Sequence, residues 1–324
     1  MAFKLFRKKI EYWVGIETGV ENIYAVEIKY QEGQPVLVNY NEEPLPSPEG
    51  GNSEKKWEHL SAALASLTKR FNLHEKEVIA ALPGAEVIER IVQMPVMPAR
   101  ELNEAVRWEA EQSIPVPLED MEFRHLVLGP VPGNGKLQNV LLIAAPSSLV
   151  RRFHATCQEV GITLRALDLP TLALWRVFCG LPGSPGEQGQ IIILHLDPEI
   201  TRLVAVSEGT LFFTRTWSGL PGSVSGMPDL DLALPFWTEL RRSLEFLRSQ
   251  LRSATARKVI LSGSCASVPD LHALFSRTLE LEVEAGLLRL KSQISNDQTG
   301  PREEEAELNP RWALAAGLAL WGYK

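Results

Sequence analysis

Apolar and polar positions along this chain switch repeatedly between the two-residue period of strands and the three-to-four-residue period of helices. A short apolar run at 12–16 ends at Glu17-Thr18-Gly19, and 23–28 and 35–38 continue it as a meander with Glu32-Gly33 at a turn. Residues 41–53, rich in Pro, Gly, Ser and Glu, read as a surface loop. Trp57, Leu60, Leu64, Leu67 and Phe71 then recur at helical spacing, and 78–82 is a buried-type strand closed by Pro83-Gly84. A unit of different texture follows: a strand at 87–92, the stiff link Met94-Pro95-Val96-Met97-Pro98, a helix at 101–113 and Ile114-Pro115-Val116-Pro117. Strands at 123–128 and 140–145 form a hairpin around 129–136. A helix at 147–160, a strand at 163–167 and a helix at 172–178 lead to a Pro- and Gly-rich linker at 181–189.

The second half opens as the first did. Apolar strands at 191–196, 202–206 and 211–217 are separated by turns at Asp197-Pro198-Glu199 and Ser207-Glu208-Gly209. Two halves that each begin with the same meander suggest an ancient duplication. A helix at 232–251, a strand at 258–261 and a helix from Val268 follow. The acidic stretch 291–309 reads as a loop, and the chain closes on a helix at 310–320 whose small residues Ala313, Ala315, Ala316 and Gly317 permit close packing. The predicted class is α/β.

The 324 residues are 45% apolar and 23% charged, a soluble globular balance able to bury a core without metals or disulfides. A net charge of −7 argues against nucleic acid as the main partner. Three cysteines without CxxC spacing fit a reducing compartment. No apolar run reaches the roughly 18 residues of a membrane span. Residues 1–9 alternate Phe3, Leu5 and Phe6 with Lys4, Arg7, Lys8 and Lys9, which suits either a frayed basic tail or a weak peripheral membrane contact. The six histidines do not cluster in sequence, so no metal centre is expected, and no single-motif catalytic residues stand out. Gly135-Lys136 imitates a P-loop end, but Pro130 and Leu137 stand where that motif needs Gly and Ser/Thr.

Residues 102–119, LNEAVRWEAEQSIPVPLE, with Met94-Pro95 before them, resemble the signature of the type IV pilus assembly protein PilM family, relatives of the division protein FtsA. Segments 14–28, 239–250 (ELRRSLEFLRSQ) and 310–323 (PRWALAAGLALWGY) extend the resemblance over nearly the whole chain. It implies an actin-like, ribonuclease H-like two-lobed fold. The divisions would be a first lobe (1A) at 1–84, an inserted 1C subdomain at 85–162, the rest of 1A with the linker at 163–186, and a second lobe at 187–324. Within the second lobe, a reduced 2B subdomain would occupy about 218–234. The resemblance further implies a cytoplasmic scaffold at the inner face of the membrane. Such a scaffold holds the N-terminal peptide of a PilN-like inner-membrane protein between 1A and 1C and contacts other pilus platform proteins. Met94, Pro95, Trp108, Ile114 and Pro115 are the candidates for lining that groove.

The alternative within the same resemblance is an ATPase or nucleotide-dependent switch, with phosphates held by backbone N–H groups of two hairpin turns and Mg²⁺ by an acidic residue beside each. The corresponding positions here are Glu17, Thr18 and Gly19, then His195 and Asp197, then Gly263 and Ser264 in the adenosine turn. The chain departs from the family at each. Glu17 replaces Asp, Val20 replaces a hydroxyl residue, His195-Leu196-Asp197 replaces Asp-x-Gly, and Gly263-Ser264 replaces Gly-Gly. Residues 218–234 also replace a much longer 2B segment. These losses remove ligands and place the Asp197 charge where phosphates would sit, so no cofactor is expected, ATP with Mg²⁺ included. An FtsA-like adaptor would carry an amphipathic membrane helix after the last packed helix, and the sequence stops at Lys324 without one.

Overall fold

The first apolar run becomes strand β1 (Tyr12–Thr18), which pairs antiparallel with β2 (Asn22–Gln31), and β2 pairs with β3 (Gln34–Pro44). The β2–β3 turn needs left-handed backbone at both Glu32 (φ 52°) and Gly33 (φ 82°), the geometry that matches strand twist in a two-residue hairpin. The computed structural model describes residues 12–46, 53–82, 86–131, 134–186, 189–219, 233–250, 258–294 and 304–323. The N-terminal segment 1–9 and most of the expected 2B segment lie outside these.

Helix α1 (Ser53–Phe71) leads to β4 (Glu77–Ala81), which lies parallel to β1. Alternation along the strands sends Val14, Ile16, Ile23 and Ala25 to one face. There they pack with Leu60, Leu64 and Leu67 of α1. Trp13, Tyr24, Val26 and Ile28 go to the other face. Burial on both sides is why these strands read as continuous apolar runs.

The inserted unit comprises β5 (Ile88–Pro95), helix α2 (Ala99–Ser113), β6 (Met121–Val131) and β7 (Asn134–Pro146), in the strand order β5-β7-β6. Leu102, Val106, Ala110 and Ile114 recur every fourth residue and pack with Met94, Val140, Leu142 and Ala144. Helix α3 (Ser147–Glu159), which the sequence groups with the insertion, instead places Phe153 and Cys157 in the core under α1. Strand β8 (Leu164–Asp168) completes the parallel edge, followed by helix α4 (Pro170–Cys179).

The second sheet repeats the first. β9 (Gln190–Leu196), β10 (Ile200–Ser207) and β11 (Thr210–Ser218) form an antiparallel meander, and β12 (Lys258–Ser262) lies parallel to β9 as β4 lies parallel to β1. Even the turn recurs, with Glu208 at φ 48° and Gly209 at 74°. Helices α5 (Leu234–Gln250) and α6 (Leu271–Leu279) bury Phe236, Leu240 and Phe275, and β13 (Glu282–Ala285) closes this sheet.

The end of the chain corrects the sequence reading. Part of the stretch 291–309 expected as a loop is strand: β14 (Leu288–Ser292) runs into it and β15 (Glu304–Leu308) lies within it, and the two extend the first sheet to the order β15-β14-β3-β2-β1-β4-β8. β15 reads EEAEL, too acidic to look like a strand. As an edge it leaves the Glu305 and Glu307 carboxylates to solvent and sets them opposite basic residues, Glu307 against Arg289 (3.1 Å) and Glu305 opposite Lys291. The chain thus returns from the second lobe to the first.

Helix α7 (Ala313–Ala319) then enters the junction with every residue buried. A Cβ on Gly317 would lie 2.0 Å from the Ala173 carbonyl oxygen of α4, and one on Gly15 would lie 2.0 Å from that of Ala315. Arg176 of α4 donates to the Gly317 carbonyl at 2.6 Å and pairs with Asp168 at 2.7 Å. Gly317→Val therefore forces helices α4 and α7 apart. It should cost about 3 kcal/mol and lower Tm by about 5–10 °C, whereas Gly135→Val, at a position open to solvent, should leave Tm unchanged. Thermal denaturation of both variants measures the difference.

Candidate functional site

Where the two meanders face each other, three ionisable side chains meet out of solvent. Glu17 lies near the end of β1, His195 near the end of β9, and Asp197 in the turn that follows. Parallel pairing of β9 with β12 sets Ser262 beside His195, and antiparallel pairing with β10 sets Arg202 opposite it. His195 is wholly buried, with Glu17 and Asp197 nearly so. The His195 Nε2 lies 3.0 Å from Asp197 Oδ2 and 3.5 Å from Glu17 Oε1, so it bridges a carboxylate from each half of the molecule. Neither contact is aligned as a hydrogen bond, and Glu17 Oε2 and Thr18 Oγ1 also lack a hydrogen-bond partner. The other ring nitrogen, Nδ1, is 3.2 Å from Ser262 Oγ.

Asp197 is held from the far side. Its Oδ1 accepts from the Ser264 backbone N–H at 3.1 Å and from the Ser264 hydroxyl at 2.8 Å. This turn requires Gly263, whose φ of 92° and 2.4 Å Cβ clearance from the Leu196 carbonyl exclude a side chain. Gly263 also donates its N–H to the Pro310 carbonyl at 3.1 Å, which ties the turn to the approach to α7. Thr18 and Gly19 form the β1–β2 turn, closed by Gly19 N–H donating to the Asn22 carbonyl at 2.9 Å.

Electrostatics follow from this burial. Loss of solvent would lower the His195 pKa, but the Asp197 and Glu17 carboxylates overcome it and hold the ring at about 9. Burial also pushes Asp197 up, yet the imidazolium and the two Ser264 donors outweigh that and hold it well below the usual carboxylate range. For Glu17 desolvation wins over the His195 contact and the Arg202 charge, and its pKa is raised. Asp197 therefore does not present a bare negative charge to a ligand, as its position in the sequence suggests. Its charge is neutralised internally.

The seven residues singled out at the hairpins and the adenosine turn, Glu17, Thr18, Gly19, His195, Asp197, Gly263 and Ser264, thus come together around one junction. The five on the inserted unit divide. Met94 and Ile114 are buried in its core, a correction to their reading as groove lining. Pro95, Trp108 and Pro115 are on the surface. Nothing in the sequence marks Ser262 and Arg202; strand register alone sets each opposite His195 on a neighbouring strand.

A family model described as type IV pilus assembly protein PilM matches residues 15–220, more than half of the chain. The chain belongs to the PilM family. A solved structure of a PilM-PilN type IV pilus biogenesis complex is similar to it with a TM-score of 0.75 and 26% identity, covering 96% of this chain and 98% of that one. The cytoplasmic domain of EpsL, an inner membrane component of the type II secretion system of Vibrio cholerae, shares the fold alone, at a TM-score of 0.52 and 12% identity over 96% of this chain and 95% of that one. The architecture is the actin-like one, and the chain is a type IV pilus assembly protein. Among the described residues, no helix is long and apolar enough to cross a membrane.

Against the PilM pattern, the cluster at the junction has a testable consequence. His195 gains its carboxylate partners only on folding, so its pKa is higher folded than unfolded. Its contribution is complete below the unfolded value of about 6.5 and is lost as pH rises through the folded value of about 9. Urea denaturation of the chelator-treated protein should show stability falling across that interval. In His195→Gln the same interval should be flat.

Proposed function

We propose that this PilM-family chain is a scaffold that binds the short cytoplasmic N-terminal peptide of a PilN-like inner-membrane protein, at the cytoplasmic face of the pilus assembly platform. The observation that carries this reading is the likeness to the protein of a PilM-PilN complex over nearly the full length of both chains. The inserted unit adds a physical reason. Trp108 is 62% exposed on α2, Val96 58% on the link before it and Val116 38% on the segment after it. These residues flank exposed prolines at 95, 98, 115 and 117, which fix φ and stiffen the surface before any partner arrives. Beneath them, Met94, Leu102, Val106 and Ile114 anchor the unit as its own core. A preformed apolar surface lowers the ordering cost of capturing a flexible peptide, and a tryptophan at such a surface commonly carries much of the affinity.

Nucleotide is not needed for this role. The junction between the hairpins is occupied by the chain's own charges, with the Ser264 N–H donating to Asp197 rather than standing open. Mg-ATP is therefore expected to bind no more tightly than the high micromolar range, about −4 to −5.5 kcal/mol. Calorimetry giving a low-micromolar dissociation constant would refute this. His195→Asp alone should not restore tight binding.

Fluorescence anisotropy with a labelled peptide from the N-terminus of a PilN-like partner tests the scaffold reading directly. Binding should occur without nucleotide, and Trp108→Ala should weaken it about tenfold or more, the effect expected of an interface hot spot. Because Trp108 is mostly solvent-exposed, its circular dichroism and Tm should match the wild type. No binding of any such peptide by the wild type would remove the proposal, and unchanged affinity in the variant would move the groove away from α2.

A further inference from the structure

The buried cluster at the junction has the composition and spacing of a metal site. Glu17, His195 and Asp197 each offer one ligating atom, and the three atoms lie within 4.8 Å of one another. Donors at about 2.0–2.1 Å around a tetrahedral zinc ion stand about 3.3 Å apart. The His195 Nε2 distances of 3.0 Å to Asp197 Oδ2 and 3.5 Å to Glu17 Oε1 bracket that edge. Nε2 and Glu17 Oε2 are buried without hydrogen-bond partners, and Nε2 faces one oxygen each of Asp197 and Glu17.

The surrounding contacts are those that orient ligands. An imidazole that binds a metal through one nitrogen directs the other to a polar partner. Here Nδ1 meets Ser262 Oγ at 3.2 Å, which leaves Nε2 to face the carboxylates. Both Ser264 donors engage Asp197 Oδ1 and leave Oδ2 turned toward His195. With a neutral imidazole the two carboxylates carry a charge of −2, which one divalent cation balances. Arg202 adds positive charge near Glu17 and thereby weakens the site, but Glu89 also lies within electrostatic reach of Arg202.

We propose that Glu17, His195 and Asp197 form a binding site for a divalent transition-metal ion of the zinc type, which bridges the two halves of the molecule. One imidazole and two carboxylates are a zinc-type set, whereas magnesium and calcium prefer oxygen donors alone. The fourth position falls to water or to Glu17 Oε2. Sequence spacing conceals the site because its ligands come from two lobes. The inference stands apart from peptide binding.

Cobalt(II) is the probe, because four-coordinate cobalt gives strong visible absorption and zinc displaces it. The full chain, stripped with chelator, should bind one equivalent with that spectrum, lose it on adding zinc, and gain thermal stability from zinc. The double variant Glu17→Gln/His195→Gln should bind at least tenfold more weakly and gain no stability. Ser264→Ala, which keeps all three ligands, guards against misfolding of that variant and should weaken cobalt about tenfold. Absence of a four-coordinate spectrum in the wild type overturns the site. So does the same spectrum and affinity in the folded double variant, or unaltered cobalt affinity in folded Ser264→Ala.

Discussion

The end of the chain, returning from the second lobe, is locked onto the first by backbone approaching backbone. Gly15 on β1 and Gly317 on α7 sit where a single methyl group would strike a carbonyl, at 2.0 Å in each case. Helix α7 is thereby pressed between the first sheet and α4, with Arg176 capping the Gly317 carbonyl from the side. Steric repulsion rises steeply inside van der Waals contact, so this close-packed junction has no slack to absorb a larger residue. The end of β1 inherits its position from this packing, and the turn after β12 is tied to it. The link is direct at Gly263, whose N–H meets the Pro310 carbonyl just before α7 begins.

That rigidity makes a buried charge cluster tolerable. Carboxylates out of solvent are costly unless paired, and here one imidazole serves two of them. Asp197 is well compensated by His195 and Ser264, while Glu17 is less so and keeps an unpartnered oxygen. An actin-like junction able to open and close around a ligand would leave these charges alternately solvated and stranded. The PilM-family chain described here keeps its own charges in the space between its hairpins.

The inserted unit follows a different logic. Its core is small and self-contained, with α2 laid on one face of a three-stranded sheet. Because that core is completed by Leu102, Val106, Ala110 and Ile114, the opposite side of α2 is free to present Trp108 to solvent. Contact of β5 and β6 with β11 places this unit against the second lobe as well. A partner engaging it would touch an element braced by both halves.

Much of this was legible in the residues alone. The alternating strand and helix periods, the repeated hairpins and the small-residue final helix are local patterns, and local sterics and amphipathicity set them. The four-residue spacing that buries Ile114 was also present, although the proline-rich context drew attention to the surface instead. Strand β15 was invisible because only Ala306 and Leu308 face the core, while Glu305 and Glu307 alternate outward opposite Lys291 and Arg289 across the ladder. The hairpin residues Glu17, His195 and Asp197 stood out in the sequence only as departures from a family pattern. Their meeting within hydrogen-bonding distance, the inward turn of Asp197 to Ser264 and the neighbours Ser262 and Arg202 were decided by tertiary structure. The Glu17–His195 contact joins positions 178 residues apart and the contacts to Ser262 and Ser264 join positions 67 apart, through the strand register of the second sheet and the turn after β12. No local rule reaches so far along the chain.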